Sequence, residues 1–331
     1  MGDMLDLTGM VVLVTGGTGS FGRQFARYVL SRMKPEKLII FSRDEMKQGQ
    51  MQQEFGPHPS LRFFIGDVRD KQRLDRAFHG VDVVVHAAAL KQVPTLEYNP
   101  IEAVKTNVMG SENVIHSAID QSVKKVIALS TDKAVHPINL YGATKLCAEK
   151  MFVAANAYSG IHGTKFSVVR YGNVLASRGS VVPLFLSQRE TGVLKVTDDR
   201  MTRFWITLDE AVEFVLRSLE WMSGSEIFIP KIPSLSLMEL AKTMGPQCRI
   251  ERIGRRPGEK IHEILVAEEE SENTLEYEDH YVVCPVIPPW KLNGHLTHGH
   301  PVKGGFRYSS NENTPTLDRE RLKEALDHIV A

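Results

Sequence analysis

Tyr141 and Lys145 stand four residues apart in the segment 130–145, which reads STDKAVHPINLYGATK. Residues at this spacing share one face of a helix, so the lysine can lower the pKa of the phenol and hold the ribose of a nucleotide. Such a pair suits hydride transfer from an alcohol. Asp132 and Lys133 lie just upstream, at the end of a predicted strand. Because a dehydrogenase needs only one proton acceptor, this additional acid and base indicate oxidation followed by elimination.

The elements that must position these groups alternate between strand and helix. Short, nearly all-apolar runs predict strands at 11–14, 38–41, 61–65, 81–85, 126–129 and 166–170. Helical periodicity between them predicts helices at 24–33, 72–78 and 101–120, and a long helix at 139–158. Apolar strands separated by helices are typical of a parallel sheet covered on both faces. We therefore predict an α/β fold with a doubly wound parallel sheet of the Rossmann type.

A glycine-rich turn follows the first strand and precedes a helix, with the sequence TGGTGSFG at 15–22. Backbone N–H groups in such a turn can approach a pyrophosphate at the positive end of the helix. The position between a strand and a helix, near the N-terminus, predicts a dinucleotide site. Its residues are expected to be Gly16, Thr18, Gly19, Ser20, Phe21 and Gly22.

The end of the second strand selects the cofactor. An NAD site usually places an acidic residue there for the ribose 2′-hydroxyl, and Asp44 keeps NAD possible. Arg43 can instead stack on adenine and, with Ser42 or Lys47, pair with a 2′-phosphate. We therefore predict NADP.

The later strand ends supply further predicted cofactor contacts. Asp67, next to Val68, can accept a hydrogen bond from the adenine amino group. Lys91 can approach the sugar or the cofactor phosphates. His86 is interpreted instead as a packed, hydrogen-bonded core residue. Small side chains after the fourth strand let a cofactor lie close to the backbone, at Ala87, Ala88 and Ala89.

After Tyr171 glycines and prolines become more frequent, and predicted helices at 209–221 and 235–244 alternate with isolated strands. We predict that residues 1–171 form the dinucleotide-binding domain with the catalytic groups. Residues 172–331 are expected to form mainly a smaller substrate-binding lobe, with some segments returning to the main sheet. Long loops are predicted over 268–305 and a final helix over 318–329.

The composition excludes several kinds of partner. Lys and Arg total 40 and balance 40 Asp and Glu, so there is no electrostatic footprint for nucleic acid or an anionic membrane. The three cysteines are widely spaced and form neither a disulfide nor a metal pattern. No apolar run approaches the roughly 20 residues that span a bilayer, and the N-terminus lacks the order of a signal peptide. We expect a cytoplasmic enzyme without a metal.

These motifs, in this order, resemble the extended short-chain dehydrogenase/reductase family over about the first 270 residues. The segments 42–45, 130–145 and 256–260 are similar, more narrowly, to nucleotide-sugar 4,6-dehydratases that act on UDP-N-acetylglucosamine. The resemblance is to the C5-inverting type, which opens pseudaminic acid biosynthesis. Membrane-anchored relatives of the retaining type carry an N-terminal transmembrane region, and commonly methionine where this chain has Tyr141.

The resemblance implies a role for each catalytic group. Tyr141 takes the proton of the sugar C4 hydroxyl, Asp132 protonates the departing C6 hydroxyl, and Lys133 removes the C5 proton. Dehydratases of dTDP-glucose have Asp-Glu at these two positions, so the lysine is the distinguishing residue. Burial and the nearby charges of Lys145 and the nicotinamide are expected to lower the pKa of Lys133 from its ordinary value of about 10.4.

Substrate contacts are predicted with less support from the sequence alone. Asn173 can bind through its amide, and arginines can hold the diphosphate, although Arg255 competes with its neighbour for that role. Asn107 is expected to order water or backbone near the cofactor. The predicted substrate-binding set is Lys91, Thr131, Asn173, Arg178, Val182, Arg203 and Arg256.

Three alternatives stay open at this point. A nucleotide-sugar C4 epimerase uses the same tyrosine and lysine but needs no acid and base for C6. A retaining 4,6-dehydratase shares every group and differs only at C5. An NADP-sensing protein with this fold usually loses the tyrosine or the lysine, and both are present here. Relatives are homo-oligomers, so we expect one here, without a defined number of subunits.

Overall fold

The structure is a computed structural model, and it describes residues 4–160, 163–175, 177, 180–286, 294–313 and 322. Its strands are β1 (Val11–Thr15), β2 (Lys37–Ser42), β3 (Leu61–Ile65), β4 (Val83–His86), β5 (Lys125–Thr131), β6 (Lys165–Tyr171), β7 (Asn173–Val174), β8 (Val193–Val196), β9 (Thr202–Ile206), β10 (Ile227–Pro230), β11 (Ser234–Ser236), β12 (Arg249–Arg252), β13 (Ile264–Val266), β14 (Thr274–Glu276), β15 (His280–Val283), β16 (His300–Pro301) and β17 (Tyr308–Ser309).

The α-helices are α1 (Ser20–Arg32), α2 (Glu45–Phe55), α3 (Lys71–Phe78), α4 (Val93–Tyr98), α5 (Pro100–Ala103), α6 (Gly110–Asp120), α7 (Leu140–Ala155), α8 (Val181–Arg189), α9 (Leu208–Trp221) and α10 (Leu237–Met244). A π-helical segment joins α5 to α6 at Val104–Met109. Short 3-10 turns lie at Asp132–Ala134, Glu268–Asn273 and Gly294–His298. Within the described ranges, no helix is both long and apolar enough to cross a lipid bilayer.

Ten strands form the central sheet, in the order β16-β14-β15-β10-β6-β5-β4-β1-β2-β3. The neighbours from β10 to β3 are parallel, whereas β15, β14 and β16 are added antiparallel. Both β1 and β4 are buried along their whole length, as expected for strands covered by helices on both faces. The predicted doubly wound α/β sheet is confirmed. The strand order reverses between β1 and β4, where such sheets bind ligands.

The prediction of long loops over residues 268–305 is wrong. This region contains β14, β15 and β16, and β15 pairs with β10 so that Val283 lies opposite Ile227. These strands are only two to four residues long, and β16 is exposed. Strands this short carry no detectable alternation of apolar and polar residues. The helix predicted over 318–329 lies outside the described residues.

A second, smaller core lies beside the main one. It includes Val182 and Phe185 of α8, Leu194 of β8 and Leu240 of α10, all fully buried. The strands around it form small sheets, β11-β9-β7 and β12-β8. The part of the chain after residue 171 therefore builds a separate core and also contributes four strands, β10, β14, β15 and β16, to the central sheet.

Candidate active site

Four neighbouring strands, β1, β4, β5 and β6, end at the same edge of the central sheet. The register pairs Thr15 with His86 between β1 and β4, and Thr131 with Tyr171 between β5 and β6. Parallel strands present their carboxyl ends together. The glycine turn, the three alanines, the Asp132–Lys133 pair and Asn173 therefore meet at one edge, although they are spread over more than 150 residues of the sequence.

The glycine turn brings the backbone of two strand ends into close approach. Gly16 has a φ of +65°, and a Cβ added there would lie 2.8 Å from the backbone of Ala88. Gly19 precedes α1 without a side-chain cap, so the first N–H groups of the helix are not satisfied by a cap from that residue. Phe21 packs on Phe25 inside the core. This cradle of backbone amides at a helix N-terminus fits the pyrophosphate of a dinucleotide.

The predicted adenosine-ribose contacts lie around the end of β2. The hydroxyl groups of Thr18 and Ser42 are 2.8 Å apart. The carboxylate of Asp44 accepts a hydrogen bond from the Lys47 backbone at 3.0 Å and pairs with the Lys47 ammonium at 2.5 Å. Asp44 is therefore committed to capping α2. The Arg43 side chain is 52% exposed.

Asp67 is held in place by two arginines. Its Oδ2 lies 2.7 Å from Arg69 Nη2 and 3.4 Å from Arg43 Nη1. Burial acts to raise the pKa of Asp67, but the hydrogen bonds and charge of Arg69 outweigh it and lower the pKa. The adjacent Val68 is buried, and its methyl group would be 2.8 Å from a Cβ at Gly110. Arg43 and Asp67 therefore form an ion pair between the segments that follow β2 and β3.

Asn107 joins the loop after β4 to α7. Its side chain accepts from the Leu90 backbone nitrogen at 2.8 Å and donates to the Leu90 carbonyl at 2.9 Å. The same amide donates to Thr144 Oγ1 at 3.0 Å. Asn107 lies in the π-helical segment, a conformation often found at functional sites. Its position supports the predicted ordering of backbone near the cofactor.

His86 is a core residue, as the sequence predicts. Its Nδ1 lies 2.8 Å from the Thr15 hydroxyl and its Nε2 lies 3.3 Å from that of Ser111. Burial, and secondarily the charge of Lys145, lowers the pKa of His86 to about 3. The ring is therefore neutral at physiological pH and both of its nitrogens are engaged.

Asp132 is fully buried in the turn that follows β5. Its Oδ1 accepts hydrogen bonds from Thr131 Oγ1 and from Lys133 Nζ, each at 2.9 Å. Lys133 Nζ also donates to Asn173 Oδ1 at 3.2 Å. Asp132 Oδ2 has no hydrogen-bond partner among the residues that the structure describes. One oxygen of the predicted acid is thus fixed by protein groups, and the other is buried without a hydrogen-bond partner among the described residues.

Helix α7 carries Tyr141 and Lys145 against this turn. The helix is capped by Asn139, whose Oδ1 accepts from the Gly142 backbone at 2.8 Å. A Cβ at Gly142 would lie only 2.0 Å from the Lys133 carbonyl oxygen, so a side chain there would push α7 away from the turn. Gly142, next to the predicted catalytic residue Tyr141, therefore allows the close approach of α7 to the turn.

The prediction that Lys145 lowers the pKa of Tyr141 is wrong, because the pKa of Tyr141 is raised. Lys145 Nζ donates to the Leu129 carbonyl at 2.5 Å, and burial lowers the pKa of Lys145 to about 8. Burial raises the pKa of Tyr141, and the main positive charge that opposes this is on Lys133. The Thr131 hydroxyl group also acts to lower the pKa of the phenol. Tyr141, Thr131, Asp132 and Lys133 therefore form one electrostatically linked cluster.

The prediction that Lys133 has a lowered pKa is wrong. Burial does act to lower the pKa, but the charges of Asp132 and Glu263 outweigh it, and the pKa of Lys133 is raised. Glu263 Oε1 lies 3.8 Å from Lys133 Nζ. This carboxylate was not identified from the sequence, because 130 residues separate it from Lys133.

Lys260 and Glu263 lie against the turn Asp132–Ala134, and they come from the segment that begins at Arg256. Lys260 Nζ donates to the carbonyl oxygens of Asp132 at 3.3 Å and Val135 at 2.5 Å. A charged pair three residues apart, next to the apolar strand β13, was the available sequence signal. A third buried carboxylate, Glu149 on α7, pairs with the fully buried Arg170 at 2.7 Å and has a structural role.

The remaining predicted substrate residues differ in their burial and in their contacts. Burial, and secondarily the charge of Lys133, lowers the pKa of Lys91, so these two amines are close enough to interact. Arg203 is buried and donates to the carbonyls of Thr202, Ile261 and Lys260 at 2.8–3.0 Å. Val182 is fully buried in the second core. Arg256 is exposed, whereas Arg178 lies outside the described residues.

The fold and this edge of the sheet define an extended short-chain dehydrogenase/reductase, as the resemblance predicts. A family model described as a polysaccharide biosynthesis protein matches residues 12–285, and the chain belongs to that family. The chain is 50% identical, over 96% of its length and 97% of the relative, to a UDP-N-acetylglucosamine 4,6-dehydratase (inverting) of Campylobacter jejuni.

Two other similar proteins bear on the interpretation. A UDP-glucose 4-epimerase of Rickettsia conorii is 42% identical over 95% of this chain and 94% of the relative. The solved structure of Pen from Bacillus thuringiensis superposes with a TM-score of 0.89 at 37% identity, covering 99% of this chain and all of the other. The fold is thus shared across almost the entire length.

Proposed function

We propose that the protein is an NADP-dependent, C5-inverting UDP-N-acetylglucosamine 4,6-dehydratase. The observation that carries the proposal is the buried Asp132–Lys133 hydrogen bond beside Tyr141 and Lys145. An epimerase needs the tyrosine and lysine alone, whereas elimination of water needs this additional acid and base. The 50% identical inverting dehydratase supports the same reaction. The product is UDP-2-acetamido-2,6-dideoxy-β-L-arabino-hex-4-ulose, the first intermediate of pseudaminic acid biosynthesis.

Oxidation at C4 comes first. Tyr141 accepts the proton of the C4 hydroxyl, and Lys145 beneath it helps to hold the nucleotide ribose. A nicotinamide cofactor held at the glycine turn would supply the acceptor for the C4 hydride and the donor of that hydride to C6. The 4-ketone acidifies the C5 hydrogen, so that a protein base can remove it. The reaction is redox-neutral because the same hydride leaves and returns.

The Asp132–Lys133 pair supplies both groups for elimination by moving one proton. In the structure Lys133 donates to Asp132 Oδ1 at 2.9 Å, which describes an ion pair. Transfer of that proton gives a neutral amine and a carboxylic acid, the base and the acid that elimination requires. Removal of the C5 proton by Lys133 and protonation of the C6 hydroxyl by Asp132 then restore the ion pair. A low-dielectric site lowers the cost of the neutral state relative to the charged one.

The choice of NADP is supported by the groups at the end of β2. Asp44 is engaged in capping α2 and in pairing with Lys47, whereas Arg43 is half exposed beside the glycine turn. A guanidinium in that position suits a 2′-phosphate better than a 2′-hydroxyl. The cytoplasmic location and the homo-oligomer stay predictions.

Replacement of Arg43 by alanine should weaken NADP binding far more than NAD binding. Loss of one charge-assisted contact costs about 1.5–3 kcal/mol, or roughly 10- to 100-fold in Kd. Fluorescence or calorimetric titration with both cofactors measures the difference. Arg62→Ala is a matched control, since Arg62 donates only to the carbonyls of Pro59 and Leu61 among its described hydrogen bonds. Equal losses of NADP and NAD affinity in Arg43→Ala would reject the contact with the 2′-phosphate.

Proton NMR of the protein with UDP-N-acetylglucosamine in deuterated water, without added reductant, tests the function directly. We expect a 4-keto-6-deoxy product with L-arabino stereochemistry and deuterium at C5. A D-xylo product would keep the dehydratase and overturn the inversion. An epimer that keeps its C6 hydroxyl would establish the activity named for the Rickettsia relative. Tight NADP binding without turnover of a nucleotide sugar would favour the non-catalytic alternative.

A further inference from the structure

Glu263 is a buried carboxylate at the centre of a group of cations. It is 2% exposed and precedes β13. Its Oε1 lies 3.8 Å from both Lys133 Nζ and Arg203 Nε, and its Oε2 lies 3.6 Å from Lys260 Nζ. No side-chain hydrogen bond to Oε2 exists among the described residues. A buried carboxylate oxygen without a hydrogen-bond partner is costly, so the three cations within 4 Å are the groups that compensate the charge of Glu263.

The backbone of Glu263 is anchored independently of its side chain. The amide donates to Ser310 Oγ at 2.9 Å, and the carbonyl accepts from the Ser310 backbone nitrogen, also at 2.9 Å. The side chain is therefore not needed to hold this segment in place. Burial raises the pKa of Glu263, while the charges of Lys133, Arg203 and Lys260 act to keep its carboxylate ionised. Among the described residues, Asp132 and Glu263 are the carboxylates within 4 Å of Lys133 Nζ.

We propose that Glu263 is a positioning residue that keeps one proton on the Asp132–Lys133 pair at the pH at which the enzyme works. This inference rests on the dehydratase function proposed above. The pair is competent only while it carries one proton, on either partner, because elimination consumes an acid and a base together. A negative charge beside the pair opposes loss of that proton, whichever partner holds it.

The charges around the pair are consistent with this role. Burial acts to lower the pKa of Lys133, and Asp132 and Glu263 reverse that effect. Arg203, Lys260 and Lys91 act in the opposite direction as positive neighbours, and Tyr141 is also within electrostatic reach. Among the described residues, Glu263 and Asp132 are the carboxylates that contribute to the raised pKa of Lys133. Without Glu263, three cations would face Asp132 alone.

The variant Glu263→Gln tests the proposal because it removes the charge and nearly preserves the shape. The alkaline limb of the pH profile for C5 proton exchange should move about 1–3 pH units lower. Glu263→Asp keeps the charge and should leave the limb closer to the wild-type position. Glu226→Gln is the matched control: Glu226 is equally buried but binds Ser167 and the backbone of residues 223 and 224. It should leave the limb unchanged.

A second measurement does not depend on the activity. The rate of trace acetylation of Lys133 by acetic anhydride, followed by peptide mass spectrometry across pH, reports the fraction of neutral amine. Exposed Lys303 in the same sample is the internal reference. We expect the midpoint for Lys133 to fall by about 1–3 pH units in Glu263→Gln.

The outcomes separate this proposal from the proposed function. If Glu263→Gln is folded by circular dichroism and neither the limb nor the midpoint moves, the proposal is overturned. A shifted acetylation midpoint in a protein that does not dehydrate UDP-N-acetylglucosamine would uphold the role of Glu263 and reject the function. If Glu263→Gln does not fold, Glu263→Asp replaces it in the acetylation experiment. The shorter side chain places the charge farther from Lys133, so the acetylation midpoint of Lys133 should fall, but by less than the roughly 1–3 pH units expected for Glu263→Gln. No fall in Glu263→Asp would count against the proposal.

Discussion

Lys133→Met should abolish exchange of the C5 proton with solvent while NADP still binds. Methionine nearly matches the length of lysine but cannot accept a proton, so the 4-ketone forms and elimination stops. Loss of a positioned general base costs typically about 10²–10⁴-fold in rate. Deuterium incorporation at C5, followed by NMR, measures the exchange, and quenched samples taken early detect the 4-ketone.

This substitution also removes the cation between Asp132 and Glu263. Leaving a buried carboxylate without its partner destabilises a protein by about 3–5 kcal/mol, so thermal unfolding must accompany the assay. Lys125→Met is a suitable control: Lys125 is also partly buried, and its ammonium donates to the Leu219 carbonyl at 2.5 Å, away from the site. Wild-type exchange at C5 in folded Lys133→Met would remove Lys133 from the role of base.

Tyr141→Phe should suppress the 4-keto intermediate itself, and with it every later step. The phenol is the proposed acceptor of the C4 proton, so we expect a fall of about 10²–10⁴-fold in ketone formation. The stability cost should be small, about 1 kcal/mol for the loss of one buried hydroxyl group. Single-turnover absorbance of the reduced nicotinamide measures the first step.

A neighbouring phenol provides the control for Tyr141. Tyr171 ends β6, is buried, and lies close enough for the two phenols to influence each other's ionisation. Burial raises the pKa of Tyr171 well above its ordinary range, and no positive charge of a described residue opposes this as Lys133 does at Tyr141, so the Tyr171 phenol stays protonated. Tyr171→Phe should therefore form the ketone at close to the normal rate. Normal ketone formation in Tyr141→Phe would mean that another group takes the C4 proton.

Much of the fold could be predicted because local patterns decide it. The apolar runs of β1, β4 and β5 and the glycine turn are each contained within a few residues of sequence, and the structure places them as expected. The spacing of Tyr141 and Lys145 likewise predicts their common face on α7. Short polar strands such as β14 and β16 were missed, since pairing with a neighbouring strand, and not their composition, makes them strands.

The electrostatics of the site could not be predicted from local patterns. The raised pKa of Lys133 depends on Glu263, which reaches the catalytic turn only through the fold. Similarly, Arg203 is an anion ligand by residue type, and the structure adds hydrogen bonds from its guanidinium to the carbonyls of Lys260 and Ile261 that its sequence neighbours do not indicate. Contacts between residues far apart in the sequence thus determine the charge state of groups such as Lys133, and local sequence patterns do not reveal those contacts.

The pairing of β10 with β6 has a consequence for folding during synthesis of the chain. The outer edge of β6 is covered by β10, with Val168 opposite Ile227, and the Val168 amide donates to the Glu226 carbonyl at 2.9 Å. A nascent chain that has emerged only to Tyr171 exposes that edge as a template for another strand. At ordinary rates of translation β10 follows about 3–11 s later. The nucleotide-binding sheet is thus completed by the second half of the polypeptide, and truncation between the two halves would yield an aggregation-prone fragment.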